Sequence, residues 1–299
     1  MKKIKLLGYL FILPAITAML FVHIIPMGWG IIISFRDLTI RNIRNWTSAP
    51  VIGLKNYFSA FNNNVSTISQ RYKQSLWNIL IYGFFTISIG FLVALGVALI
   101  LNKPFLGRTF VRGLILIPYI TPDSVAFNFW RFIFQNRIGI LNEMMLRIGM
   151  IKEPIMWLVG RNTLTAVIIA SIWKGWPLTS LMLLAGLQTI PQSVYEAAKI
   201  DGASVWQSFK YITIPYLKPV IKTIMIMNIL WNFHAYNQFR VLFGSNPGIH
   251  AEVPNTLIMR EAFEHYNYGL GSALSVILML IMLSITLIYL YFFRFRKED

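Results

Sequence analysis

Residues 195–215 read YEAAKIDGASVWQSFKYITIP, a polar island in a very apolar chain. Pro191, just upstream, suits the first turn of a short helix, where its missing N–H has no partner to lose, and Gly202 suits the left-handed residue that ends one. Ser204 and Gln207 stand three apart, the spacing of a capping box. A second short helix is therefore expected to start at Val205 and to stop before Pro215. The stretch reads as helix, glycine elbow, helix. In the first helix Val194, Ala197, Ala198 and Asp201 recur at helical spacing, so one face offers two methyl groups and little bulk. Another backbone can approach it closely.

The surroundings of this island are those of a membrane. Of 299 residues, 56% are hydrophobic and 13% charged, against about a quarter charged in a soluble domain. Lys and Arg number 27 against 11 Asp and Glu, a net charge of +16. Such a balance serves either nucleic acid or anionic lipid and loop topology. No basic run interleaved with aromatics occurs. The basic residues sit beside apolar segments, as they do where they fix orientation, so membrane lipid is the expected surrounding and nucleic acid is not an expected partner. With no cysteine there is no disulfide, thiolate metal site or iron–sulfur cluster to consider.

Apolar runs at 6–35, 76–101, 114–134, 164–187, 219–239 and 270–293 predict an all-α membrane protein with six transmembrane helices. The first exceeds the roughly 7 to 15 residues of a signal-peptide core and reads as an uncleaved span. In the second, Gly90, Ala94 and Ala98 lie four apart and let a neighbouring helix pack tightly. Pro118, Pro122, Asp123 and Arg131 interrupt the third, which predicts a kinked or broken helix. Raw totals of basic residues do not separate the two sides. Those at Lys2, Lys3 and Lys5, at Lys103, Arg108 and Arg112, at Lys199, Lys210, Lys218 and Lys222, and at Arg294, Arg296 and Lys297 are packed into short segments at span ends. Both termini and the 188–216 loop are thus expected in the cytoplasm. The outer loops, 36–75 and 135–163, are too short for sizeable domains, and no repeat is visible, so 1–299 reads as a single transmembrane domain.

Several chemistries are missing. No Gly-Lys pair occurs anywhere, hence no phosphate-cradling loop, and no His-Glu-x-x-His helix exists to hold zinc. His23, His234, His250 and His265 are scattered, whereas an enzyme working on lipid or glycan in the membrane needs clustered acid and base groups. An ion-coupled transporter needs intramembrane carboxylates and usually two similar halves. Asp123 is the one obvious carboxylate within a span. It stands eight residues from Arg131, a spacing that suits a structural pair across a kink.

Polar material inside two spans is the positive signal. Lys174 sits within Trp173, Lys174, Gly175, Trp176, Pro177, where a lone ammonium facing lipid costs about 2.5 to 3.5 kcal/mol. It is expected to face a cavity or a partner, an ion pair with another subunit and a snorkelled stem being the plainer alternatives. In the fifth span Asn228, Trp231, Asn232 and Gln238 fall at i, i+3, i+4 and i+10. Amides beside indoles suit a sugar, with hydrogen bonds for its hydroxyls and flat faces for its C–H side. The same residues serve equally as glue between helices.

Glu196-Ala197-Ala198, three residues, Gly202, nine residues, Ile212, one residue, then Ile214-Pro215 resembles the EAA signature of ABC importer permeases, with Ile214 in place of the usual leucine. The stretches 101–122 (LNKPFLGRTFVRGLILIPYITP), 172–204 and 269–281 (GLGSALSVILMLI) are similar to carbohydrate-uptake permeases of the maltose and glycerol-phosphate type. The string Gly244-Ser245-Asn246-Pro247-Gly248 departs from the glycine-richer string common in that family. The resemblance implies a type I importer fold in a prokaryotic inner membrane. It also implies a second permease, two ATP-binding subunits docked on the EAA loop, and an extracytoplasmic binding protein that delivers a carbohydrate. ATP and Mg would then belong to the ATP-binding subunits, with no cofactor on this chain. By position Glu196, Ala197, Ala198 and Gly202, supported by Asp201 and Pro215, inherit the coupling role. The family's sugar cavity lies in the region of Trp173, Lys174, Trp176, Asn228, Trp231 and Asn232.

Overall fold

The computed structural model describes residues 2–62 and 67–292, with side chains from residue 11 onward. Arg294, Arg296 and Lys297 lie outside the described residues, as do the side chains of Lys2, Lys3 and Lys5. Among the described residues the regular structure is helical, with two isolated β-bridges, Arg36 to Val51 and Thr39 to Asn267. Five helices among the described residues are long and apolar enough to cross a membrane: Phe11–Ser34, Thr67–Asn102, Gly160–Gln188, Val205–Phe233 and Tyr268–Phe292. A bent pair, Arg108–Ile120 and Asp123–Ile133, whose axes meet at 87°, makes a sixth if the two segments together form one span.

Spatial neighbourhoods divide the chain into two compact units. One comprises Met1–Lys73 and Leu257–Ile281. In it the first span is interrupted by a π turn, Leu20–Ile24, just ahead of Pro26. A proline inside a helix lacks its N–H and crowds the carbonyl four residues back, and one over-wide turn relieves both defects. The span's last carbonyls are not left bare, because the Asn56 amide donates to Ser34 O at 2.9 Å and to Arg36 O at 3.0 Å.

The other unit comprises Gln74–Thr256 and Met282–Asp299. Ala94, Ala98 and Leu101 of the second span are buried with Leu183, Leu187 and Ile190 at the end of the fourth span, and with Leu217 and Ile224 of the fifth. The fourth and fifth spans cross at Gly186, where an added Cβ would stand 2.8 Å from Leu217 Cδ2 and 3.0 Å from Val220 Cγ2. Small residues at such a crossing let two backbones come together where no hydrophobic effect pulls them.

The fifth span differs from expectation at both ends. The helix starting at Val205 does not stop before Pro215. It passes through a π turn, Phe209–Thr213, and continues without a break as the fifth span to Phe233. As at Pro26, the wide turn lies just ahead of the proline and accommodates it. That span also ends sooner than residue 239. His234 closes it and a separate helix, Asn237–Phe243, follows, so Gln238 does not belong to the fifth span.

Candidate functional site

The elbow is assembled from local rules. Pro191, with φ −61° and ψ 135°, caps the helix Gln192–Ile200 from outside rather than sitting in its first turn. Extended ψ is the only difference from the expected placement, since the ring fixes φ either way. Gly202 has φ +79°. Its N–H donates to Lys199 O at 3.2 Å, and the next N–H, of Ala203, reaches back to Ala198 O at 2.9 Å. This paired closure is what a glycine just past a helix end permits. Ser204 N–H donates to Gln207 Oε1 at 2.7 Å and Gln207 N–H to Ser204 Oγ at 3.2 Å, a complete capping box. A cross-brace joins the Tyr195 and Thr213 hydroxyls at 2.9 Å.

Glu196, Ala197, Asp201, Gly202 and Pro215 are exposed and Ala198 is half-buried. Beside them Ile200, Val205 and Trp206 present large apolar side chains to the outside. Sequence reasoning passed over these three, although apolar residues on both sides of a glycine elbow were a readable sign of a surface made to be covered.

A cavity of about 320 Å³ opens between the second, third, fourth and fifth spans. Lys174 and Trp176 enter it from the fourth span and Asn228, Trp231 and Asn232 from the fifth. Trp173 does not line it. Its ring stands edge-on to Trp130, centroids 5.9 Å apart, because one helical step turns a side chain about 100° from its neighbour. Tyr82, Thr86 and Gly90 of the second span also line the cavity, as do Ser171, Thr179 and Gln238. The i, i+4, i+8 spacing of Tyr82, Thr86 and Gly90 was a signal in a span read only as a packing surface. Gln238 reaches the cavity from its own short helix and donates to Tyr82 Oη at 2.9 Å.

The broken third span supplies one wall, and the break has a local cause. Thr121 precedes Pro122 and takes ψ 128°, extended as that position requires. A helical Pro118 carbonyl would accept from the N–H of residue 122, which is a proline and has none. Lys174 answers the deficit. Its Nζ donates to Thr121 O at 2.6 Å and lies 3.4 Å from Tyr119 O and 3.5 Å from Pro118 O. An ammonium fits at the carbonyl end of a helix segment. The same Nζ is 3.2 Å from Asp123 Oδ1, at the first turn of the next segment. The partner of Asp123 is therefore Lys174, 51 residues on, and not Arg131. Its other oxygen receives a long bond of 3.4 Å from Asn237 Nδ2.

Asn232 is held by its own helix, Nδ2 donating to Asn228 O at 2.8 Å. Its Oδ1 is buried with no hydrogen-bond partner. A buried acceptor left empty costs about 1 to 3 kcal/mol. Trp231, which lines the same cavity, is 50% exposed.

Residues 66–297 match the family of binding-protein-dependent transport system inner membrane components. The chain belongs to that family. It is 35% identical over 297 residues to the trehalose/maltose transport system permease protein MalF of Thermococcus litoralis, an alignment covering 98% of this chain and 95% of the relative. It is 30% identical over 273 residues to the sulfoquinovosyl glycerol transport system permease protein SmoG of Agrobacterium fabrum, covering 91% and 85% of the two. Among solved structures, a bacterial alginate ABC transporter in complex with an alginate pentasaccharide-bound periplasmic protein superposes with a TM-score of 0.82. That match is at 21% identity and covers 98% of this chain and 95% of the other, so it establishes the type I importer permease fold. This inner membrane component is a multi-pass transport permease.

Proposed function

We propose that this permease imports a carbohydrate handed over by an extracytoplasmic binding protein, and that a second permease and two ATP-binding subunits complete the importer. The observation that carries the carbohydrate reading is the buried, unpaired Asn232 Oδ1 together with the exposed Trp231 of the same cavity. A small shift of the Asn232 side chain would give its oxygen a hydroxyl donor, and the adjacent indole offers a flat apolar surface, which together match the two sides of a sugar ring. Relatives named for trehalose/maltose and for sulfoquinovosyl glycerol support the same class. In this reading Lys174, Trp176, Asn228, Trp231 and Asn232 border the pathway, and Trp173 supports it from behind through Trp130.

The energy source lies outside this chain, which has no phosphate-binding Gly-Lys loop. The elbow of Glu196, Ala197, Ala198, Asp201 and Gly202 receives the ATP-binding subunit, with Ile200, Val205 and Trp206 filling its groove. Pro215, beyond the π turn, marks where the elbow passes into the membrane. Coupling to an ion gradient would need a free carboxylate in the spans, and Asp123 is already engaged by Lys174. The test is uptake into vesicles carrying the complete importer. Asn232→Leu and Trp231→Ala are expected to lower sugar uptake about tenfold each with assembly intact, the loss of one polar contact or one stacked face being worth about 1.4 kcal/mol. Normal uptake by both variants would remove the sugar reading.

A further inference from the structure

We propose that the cavity selects uncharged sugars and discriminates against acidic ones, an inference that rests on the carbohydrate reading above and narrows it. A lone lysine within a span at first suggests a reader of carboxylate, phosphate or sulfonate. The geometry points the other way. Among the described residues, Lys174 and Asp123 are the only charged side chains lining the cavity, and they neutralise one another at 3.2 Å. The ammonium is held by the Thr121 carbonyl at 2.6 Å and that carboxylate, with the Tyr119 and Pro118 carbonyls sharing its third hydrogen at 3.4 and 3.5 Å, and the Lys174 side chain is 16% exposed. To meet an anionic sugar this ammonium would have to abandon carbonyls that the proline break leaves without donors.

What remains available points to the same class. Asn232 Oδ1, Thr86 Oγ1 and Ser171 Oγ are buried with no partner, and the outer oxygen of Asp123 has only the long bond from Asn237. A neutral sugar's hydroxyls both donate and accept, whereas a carboxylate or sulfonate also brings a charge that no unbalanced cation lining this cavity answers. Specificity of this kind is a difference between two affinities, set as much by what the cavity withholds as by what it offers.

The test uses the complete permease and ATP-binding assembly in lipid nanodiscs, without the binding protein, so that the binding protein's own preference does not intervene. Equilibrium dialysis is run with radiolabelled trehalose, maltose and maltotriose, and with each sugar carrying one primary alcohol oxidised to a carboxylate. The best-held neutral sugar is expected to bind about tenfold or more tightly than its acidic counterpart, since stripping a charge of water without a partner is costly. Asp123→Asn, which leaves one positive charge in the cavity, is expected to narrow that ratio. An acidic sugar held as tightly as its neutral parent would overturn the proposal while leaving carbohydrate import standing. So would a Lys174→Met variant that loses only the acidic sugars. Failure to bind any of these sugars, with retention of labelled amino acids or peptides, would overturn the carbohydrate reading along with it.

Discussion

The Tyr195 hydroxyl lies 2.9 Å from the Thr213 hydroxyl and ties the helix Gln192–Ile200 to the π turn Phe209–Thr213. Thr213 is buried, and its other bond, to Ser208 O, is a long 3.4 Å. The brace therefore holds the two arms of the elbow at one mutual angle. Tyr195→Phe keeps the ring and deletes the bond, a loss of about 1 kcal/mol, or about fivefold in favour of a splayed elbow. ATP hydrolysis and sugar uptake measured in the same vesicles should show fewer sugars moved per ATP. An unchanged ratio would mean that the brace plays no part in coupling.

Gly202 can be tested against residues that tolerate its backbone and residues that do not. At φ +79° an added Cβ meets no neighbouring atom, so any penalty is conformational. Gly202→Val should cost about 1 to 2 kcal/mol in the elbow, while Gly202→Asn should cost much less. We expect the valine variant to insert normally, to retain less ATP-binding subunit on purification, and to lose uptake. Equal behaviour of the two variants would show that the left-handed turn is dispensable.

Gly186 tests the crossing of the fourth and fifth spans. Gly186→Ala drives a methyl against Leu217 and Val220, an overpacking worth about 1 to 3 kcal/mol. Thermal melting in detergent should fall, and Leu217→Ala added to it should restore part of the loss. Simple additivity of the two substitutions would indicate that the side chains do not meet.

The Lys174 clamp makes its own prediction for stability. Lys174→Met strands the Asp123 carboxylate and the carbonyls of the broken span. Removing one member of a fully buried pair costs about 3 to 5 kcal/mol, which we reduce to about 1 to 3 because the Asp123 side chain is 42% exposed. Lys174→Met with Asp123→Asn should be more stable than Lys174→Met alone. If the double variant melts lower than the single one, the carboxylate is not what the ammonium balances.

Legibility in the sequence followed the range of the interaction. Gly202, Ser204 and Gln207 act within a few residues, so the elbow and its caps could be read directly, and run length alone indicated six crossings. Pro215 was read as a stop because the local rule knows a proline's clash but not the π turn that absorbs it. Pro118 and Pro122 announced a break, while the residue that fills it stands more than 50 positions away at Lys174, and nothing in the local pattern links them. Trp173 was grouped with Lys174 by adjacency, although adjacent helical residues face different ways. The second span's contribution at Tyr82 and Thr86 was obscured by the small-residue stripe further along the same helix.

The unbroken run Val205–Phe233 spans 29 residues, about 43 Å at 1.5 Å per residue. Its first turn carries the capping box and the exposed Trp206, and its last turn carries Trp231 and Asn232. The proposed docking surface and the cavity wall are thus opposite ends of one lever, with no loop between them to dissipate a push. Were the elbow driven, a small tilt near Ser204 would be carried along the whole rod to Trp231 and Asn232. The over-wide turn at Phe209–Thr213, close to the driven end, is where such a rod can pivot without breaking.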